Sequence, residues 1–383
     1  MQFYRNSNLK KTARLILGLC SLFFCSFSFL YLYCLQSDAL TLAQHILSKG
    51  HTSYSKIWGA VIVTLVLQLL VILYKRTHWY SLKAQALYFF PSCLILGAMT
   101  CFVPTHDGNV MWNINWLACS LYVIIYGIII WISLHFPDTR NDKSSIHPYL
   151  WINFVLLAIQ LCMAAHIGNT NDAYHYRLKV QELVLDNNDT AALEVGKRSL
   201  AHDRELTVLR TLALSRRGNL GNALFHYPQE YGSEGLLPNT QDTFLHTQAY
   251  RDVIYKHLGG YPGQNILSTK QFLSLLINTK TVKKSAYDYL LCAYLLDKDI
   301  ETFVNILPQY YPSNEGLPKH YKEAMIMYLH HEGKTDHVLY DKQTADAYLK
   351  YLEIKSSFKN PVEQNNQCSR EFGQTYWWYY DFK

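Results

Sequence analysis

Uncharged apolar runs dominate the first ~166 residues and then give way to apolar positions at helical spacing. The runs are Leu15–Leu35, Ile57–Tyr74, Ala84–Val103, Asn113–Phe136 and Tyr149–Ala165. At about 1.5 Å per residue, about 20 apolar residues cross the ~30 Å hydrocarbon core of a bilayer, so the pattern predicts about five transmembrane helices. Leu15–Leu35 exceeds the ~7–15 residue apolar core of a signal peptide, and no small-x-small cleavage site follows it; it reads as a retained anchor. From Asp172 onward the period is that of amphipathic helices broken by Gly, Asn, Asp and Pro turns. Helix pairs are predicted at 173–186 with 190–201, 203–217 with 220–227, and 241–258 with 267–278. Two more pairs follow at 284–296 with 299–308 and 317–331 with 342–357. Turns fall at Asn187-Asn188-Asp189, Gly218-Asn219 and Asp297-Lys298-Asp299.

The predicted fold class is therefore all-α, an N-terminal bundle of about five transmembrane helices followed by a soluble helical-repeat domain. Its parts are a basic cytoplasmic tail (1–14), the spans (15–166), the repeat domain (170–360) and an aromatic C-terminal tail (361–383). Tyr287, Leu290, Leu291 and Tyr294, followed by Phe303 and Leu307, match the spacing of a tetratricopeptide hairpin. Leu291 and Phe303 stand where that repeat prefers Gly and Ala, so this hairpin must be splayed or repacked.

Charge sharpens this division. Only four of 29 acidic residues (Asp38, Asp107, Asp138, Asp142) precede position 170, beside 11 of the 35 basic ones. The remainder carries 24 basic and 25 acidic side chains, so the positive excess is a property of the apolar half. With the N-terminus inside, nine basic residues (Arg5, Lys10, Lys11, Arg14, Lys75, Arg76, Lys83, Arg140, Lys143) fall on the cytoplasmic side and two (Lys49, Lys56) outside. By the positive-inside rule, five spans place everything after His166 outside the cytoplasm. No basic cluster marks a nucleic-acid surface.

No Asp, Glu, Lys or Arg lies within a run, and His135 and His166 sit at span ends. Gln68, Gln85, Asn153 and Gln160 are the polar exceptions, as interhelical hydrogen-bonding groups or as a substrate path. Seven of nine cysteines accompany the apolar runs, while Cys292 and Cys368 form either a disulfide or two buried thiols. The stretch Tyr227-Pro228-Gln229-Glu230-Tyr231-Gly232-Ser233-Glu234-Gly235 mixes rigid, permissive and hydrogen-bonding residues, as binding loops on rigid scaffolds do. Tyr227, Pro228, Gln229, Tyr231, Gly232 and Ser233 are its candidate binding residues, and a plain connection is the alternative. His330, His331 and His337 crowd a short stretch with Glu332 and Asp336, but adjacent His330 and His331 point about 100° apart on a helix, so a helical two-histidine site fails and no metal is expected. No cofactor motif is present. The aromatic tail Tyr376–Phe382 suits burial as a cap, the lipid headgroup level, or a stacking platform.

Several stretches carry a family resemblance: Ala43–Ser48 through Gly59–Ile62, Tyr227–Gln229 with Gly232–Gly235, Tyr289–Leu296 and Leu317–Ala324. Together they resemble multi-spanning membrane proteins of the Bacteroidetes that end in a degenerate tetratricopeptide-like region. The resemblance implies an inner-membrane location and carries no assigned activity. The expected function is a membrane-anchored interaction module that docks an envelope or membrane protein. The alternative is a membrane transferase using Asp38 or Asp107 in the outside loops.

Overall fold

The computed structural model describes residues 7–49, 51–52, 54–78, 80–104, 110–113, 116–135, 146–238, 245–263, 267–312, 316–333 and 341–383. The chain is 76% helical. Its strands, among the described residues, are β1 (Phe102–Pro104) and β2 (Val110–Trp112), an antiparallel pair with Val103 opposite Met111. Two compact units divide the chain, Met1–Asn171 and Asp172–Lys383.

The N-terminal unit holds α1 (Ser7–Leu30), α2 (Ser37–Leu47), α3 (Lys56–Thr77), α4 (Phe90–Ala98), α5 (Trp116–His135) and α6 (Ile146–Ile167). Among the described residues, three helical stretches are long and apolar enough to cross a membrane: Lys11–Leu35, where α1 runs on through a π turn, then α3, then α6. The segment expected to form an outside loop after Leu35 contains α2, whose buried face includes Ala39, Leu40 and Ala43.

The third apolar run departs from a single helix over Ala84–Val103. Leu82–Phe89 is a 3-10 segment, α4 follows, and the run ends in β1. Proline explains the break. Pro91 has no N–H to give the Leu87 carbonyl in a continuous α-helix. Instead the Phe90 N–H reaches that carbonyl, three residues back. Side chains finish the remaining backbone pairing. Asn153 on α6 accepts from the Ala86 N–H at 2.8 Å and donates to the Leu82 and Tyr149 carbonyls at 2.7 Å. Gln160 donates to the Ala86 carbonyl at 3.2 Å, and Gln85 donates to the Tyr80 and Ser81 carbonyls at 2.9 Å. Gln68 donates to Ser21 at 3.0 Å. All four apolar-run amides thus hold backbone or neighbouring helices together.

The C-terminal unit begins with α7 (Asp172–Leu185), α8 (Asp189–Glu194), α9 (Arg204–Arg216) and α10 (Leu220–Ala223). It continues with α11 (Leu245–Leu258), α12 (Thr269–Ile277), α13 (Lys284–Leu296), α14 (Ile300–Tyr310) and α15 (Lys319–His331). Last come α16 (Lys342–Ser357), α17 (Pro361–Phe372) and α18 (Tyr376–Phe382), so the expected aromatic tail is two further helices. Side-chain caps start many of them: Asn188, Ser268 (a capping box with Gln271), Asp299, Asp341, Asn360 and Thr375. Nine consecutive residues of α9, Leu206–Leu214, are buried, as are Tyr289–Ala293 of α13. A helix buried all round is a core helix. From α12 to α17 each helix packs on the next, and α18 folds back onto α15. Tyr376 and Trp377 are 0% and 1% exposed, so most of the aromatic tail is core. Cys292 and Cys368 are buried free thiols.

Candidate functional site

A short helix and its abrupt end begin the site. Asn188 caps α8 by accepting from the Ala191 N–H, and Gly196, at φ +60°, follows the end of α8. A Cβ at Gly196 would lie 2.7 Å from the Tyr176 ring, so both conformation and space require glycine. Arg210 on α9 donates to the Val195 and Gly196 carbonyls at 3.0 and 3.3 Å, satisfying groups that the end of a helix leaves open. The same guanidinium lies 4.7 Å from the centre of the Tyr227 ring, whose hydroxyl donates to the Leu193 carbonyl at 2.7 Å.

Three stretches of chain line a cleft of about 1260 Å³ beside this joint: the segment around Glu194–His202, Phe225–Glu230, and residues of α17 and α18. Aromatic side chains (Phe225, Tyr227, Trp378, Tyr379, Phe382) alternate with cationic ones (Lys197, Arg198, Lys383). Leu200, also on the lining, is 85% exposed.

Behind the cleft lies a buried ionisable pair. His320 Nδ1 sits 2.8 Å from Glu323 Oε2, and both residues are nearly inaccessible, at 1% and 2%. The same carboxylate oxygen accepts the Tyr376 N–H at 2.8 Å, while the Trp377 indole donates to the Glu323 carbonyl at 2.8 Å. Helix α18 is therefore fixed by α15, and one side of the cleft with it. His226 lines the cleft, its ring 6.1 Å from that of His320. Burial, then the charges of His320, Lys319 and Lys197, push the His226 imidazole down to about 4 against the opposing pull of Glu323. Burial also lowers the Arg210 guanidinium and raises the Tyr227 hydroxyl.

The candidate loop serves two purposes. Tyr227, Pro228 and Gln229 line the cleft, with the Gln229 side chain donating to the Leu224 carbonyl at 2.9 Å. Tyr231 packs edge-on to His202 at 6.1 Å, and Gly232 takes φ +55°. Ser233 is buried, its N–H and hydroxyl each donating to one oxygen of Asp297 at 2.9 Å. Lys270 joins Asp297 at 2.7 Å. Burial pushes the Asp297 carboxyl up, but the Lys270 and Ser233 hydrogen bonds outweigh it and leave it below the usual range. Glu234 receives the Thr269 N–H and hydroxyl at 2.9 and 3.1 Å. Tyr231–Gly235 is thus a staple and Tyr227–Glu230 a lining.

Sequence reading passed over Arg198, Leu200 and His226. The available signals were a lone leucine in a polar connection and a histidine beside Tyr227. Asp38, the transferase candidate, pairs with Lys56 at 2.8 Å in the N-terminal unit. Asp107 lies outside the described residues, as do Asp336 and His337. Among the described residues no group of three His, Cys, Asp or Glu side chains is arranged to hold a metal ion.

The model of a family described as a family of unknown function (DUF6057) matches residues 2–261 and 264–383. The chain belongs to this family. No curated protein and no solved structure matches it. What this DUF6057 cleft can do chemically follows from its residues: it offers apolar contact, cationic charge and amides on a lining fixed from behind by Arg210 and Glu323.

Proposed function

We propose that the protein is a five-span bacterial inner-membrane protein that displays its C-terminal helical unit outside the cytoplasm and acts there by binding. The two shorter apolar segments fit that span count. Leu82–Ala98 has 17 residues in its apolar stretch, eight of them 3-10. A 3-10 turn rises about 2.0 Å per residue against about 1.5 Å for an α-helix, so these 17 residues, kinked at Ala84, reach at most roughly 30 Å, one hydrocarbon thickness. Helix α5, with 20 residues, reaches about the same length. The nine-to-two basic asymmetry gives the orientation. The succession of packed helices from α12 to α17 supports the tetratricopeptide-like reading, with α18 as its closing cap.

The observation that carries the binding role is the cleft itself. Three segments distant in sequence build it, and its aromatic lining is held by buried hydrogen bonds. Rigid aromatics bury large areas at modest entropic cost, which is how binding surfaces gain affinity. The partner on this reading is a membrane or envelope protein, because the unit that carries the cleft is tethered to a membrane unit.

A photo-activatable amino acid in place of Leu200, in the full chain in its own membranes, tests this. The control position is Leu349, 50% exposed and not part of the cleft lining. A discrete adduct from position 200 and none from 349 is the expected result. Adducts from both positions alike, or from neither, would overturn the binding role.

A further inference from the structure

Resting on the binding role of the cleft, we infer that its ligand is an extended peptide segment carrying acidic side chains among apolar ones. Both carboxylates of the lining are already committed: Glu194 to Lys197 at 2.7 Å and Glu230 to Lys383 at 2.6 Å. Arg198, exposed on the same lining, has no acidic partner within 4.0 Å among the described residues. Arg210 repeats the imbalance one layer deeper. It is 3% exposed, bonds only carbonyls, and its Nε has no partner among the described residues. His320 Nε2 is likewise buried and unpartnered. The lining thus carries one cationic side chain more than it has carboxylate side chains, beside six aromatic residues, and the complement is an anion attached to something apolar.

Two features choose peptide over other anions. Arg198 is the one lining cation not committed to a carboxylate among the described residues, so a peptide with a single spaced carboxylate matches it, whereas a polyphosphate or polyuronate brings charges that find no partner there. Leu200, 85% exposed beside Arg198, offers apolar area that a leucine, valine or phenylalanine side chain covers and a sugar ring edge does not. The about 1260 Å³ volume exceeds the roughly 300–1,000 Å³ of small-molecule pockets and admits several residues of extended chain.

The experiment uses full-length protein in detergent micelles and a positional-scanning library of N-acetylated hexapeptides. Peptides bearing Asp or Glu at one or more positions, with aromatic or aliphatic neighbours, should be retained about tenfold over their Lys or Arg counterparts, the ratio expected for a charge-assisted contact of ~1.4 kcal/mol. Arg198→Glu, at an exposed position, should erase or invert that preference while leaving the thermal unfolding temperature unchanged. Absence of any charge preference, or a preference that survives R198E, would overturn the inference. Retention of an acidic oligosaccharide in place of acidic peptides would overturn it as well. A position-200 adduct together with such a failure would leave the binding role standing and remove only this ligand class.

Discussion

Among the described residues, the N-terminal unit buries polar side chains that are all neutral: Ser28, Gln36, Ser37, Thr64, Gln85, Ser92, Thr100, Asn153 and Gln160. The C-terminal unit buries Arg210, His320 and Glu323 beside its hydroxyls and one glutamine. An amide can offer two donors and an acceptor without carrying a charge into an apolar medium, which is why Asn153 can complete a broken helix. A buried charge must instead find an opposite charge or several dipoles. Glu323 finds His320 and a helix N-terminus, and Arg210 finds carbonyls and a tyrosine face. Each unit solves the same backbone problem, an interrupted or ending helix, with the polar group its surroundings tolerate.

Removing the charge in the C-terminal unit should have the largest effect. Glu323→Leu leaves His320 and the Tyr376 N–H without their acceptor, and breaking a buried pair of this kind costs about 3–5 kcal/mol. Chemical unfolding of the full protein should show that loss, and a loss below about 1 kcal/mol would mean that the pair does not hold α18. Asn153→Leu comes next. The Ala86 N–H and Leu82 carbonyl lose their partner, at about 2–4 kcal/mol for two buried groups. Unfolding in mixed micelles measures it; an effect near zero would mean that Leu82–Phe89 re-forms as an ordinary helix without Asn153.

The smallest effect is a pH dependence confined to the C-terminal unit. His226 titrates at about 4 when folded and near 6.5 when unfolded. Between those values the unfolded chain binds the extra proton, so stability falls as pH drops from about 6.5 toward 4. His226→Gln should flatten the unfolding-temperature profile over that window. A profile unchanged by the substitution would assign the acid sensitivity to other groups.

Much of the helical framework was legible in the sequence. The predicted helix at 284–296 coincides with α13, and that at 342–357 with α16, because apolar residues recur at helical spacing between Asp and Gly turns. Helix α17 escaped notice because its sequence is mostly polar, with Val362, Cys368 and Phe372 its few apolar positions; Asn360 before Pro361 was its one local start signal. The 3-10 character of Leu82–Phe89 escaped too, since an apolar run reports burial and length but not hydrogen-bond register. At the site, Tyr227–Gln229 stood out through turn chemistry, whereas Arg198 and Leu200, about 30 positions before them, and Trp378, about 150 after, join them only through packing, which no local pattern encodes.

Leu82–Phe89 also sets an order of events during synthesis. The side chains that complete its backbone pairing, Asn153 and Gln160, lie 67 to 74 positions downstream. At roughly 5–20 residues per second, the ribosome needs about 4–14 s to deliver them. Until α6 arrives, the third apolar segment carries open carbonyls and an open N–H that lipid cannot satisfy. On the proposed five-span reading, the segment would then depend on the insertion machinery until the last span is made.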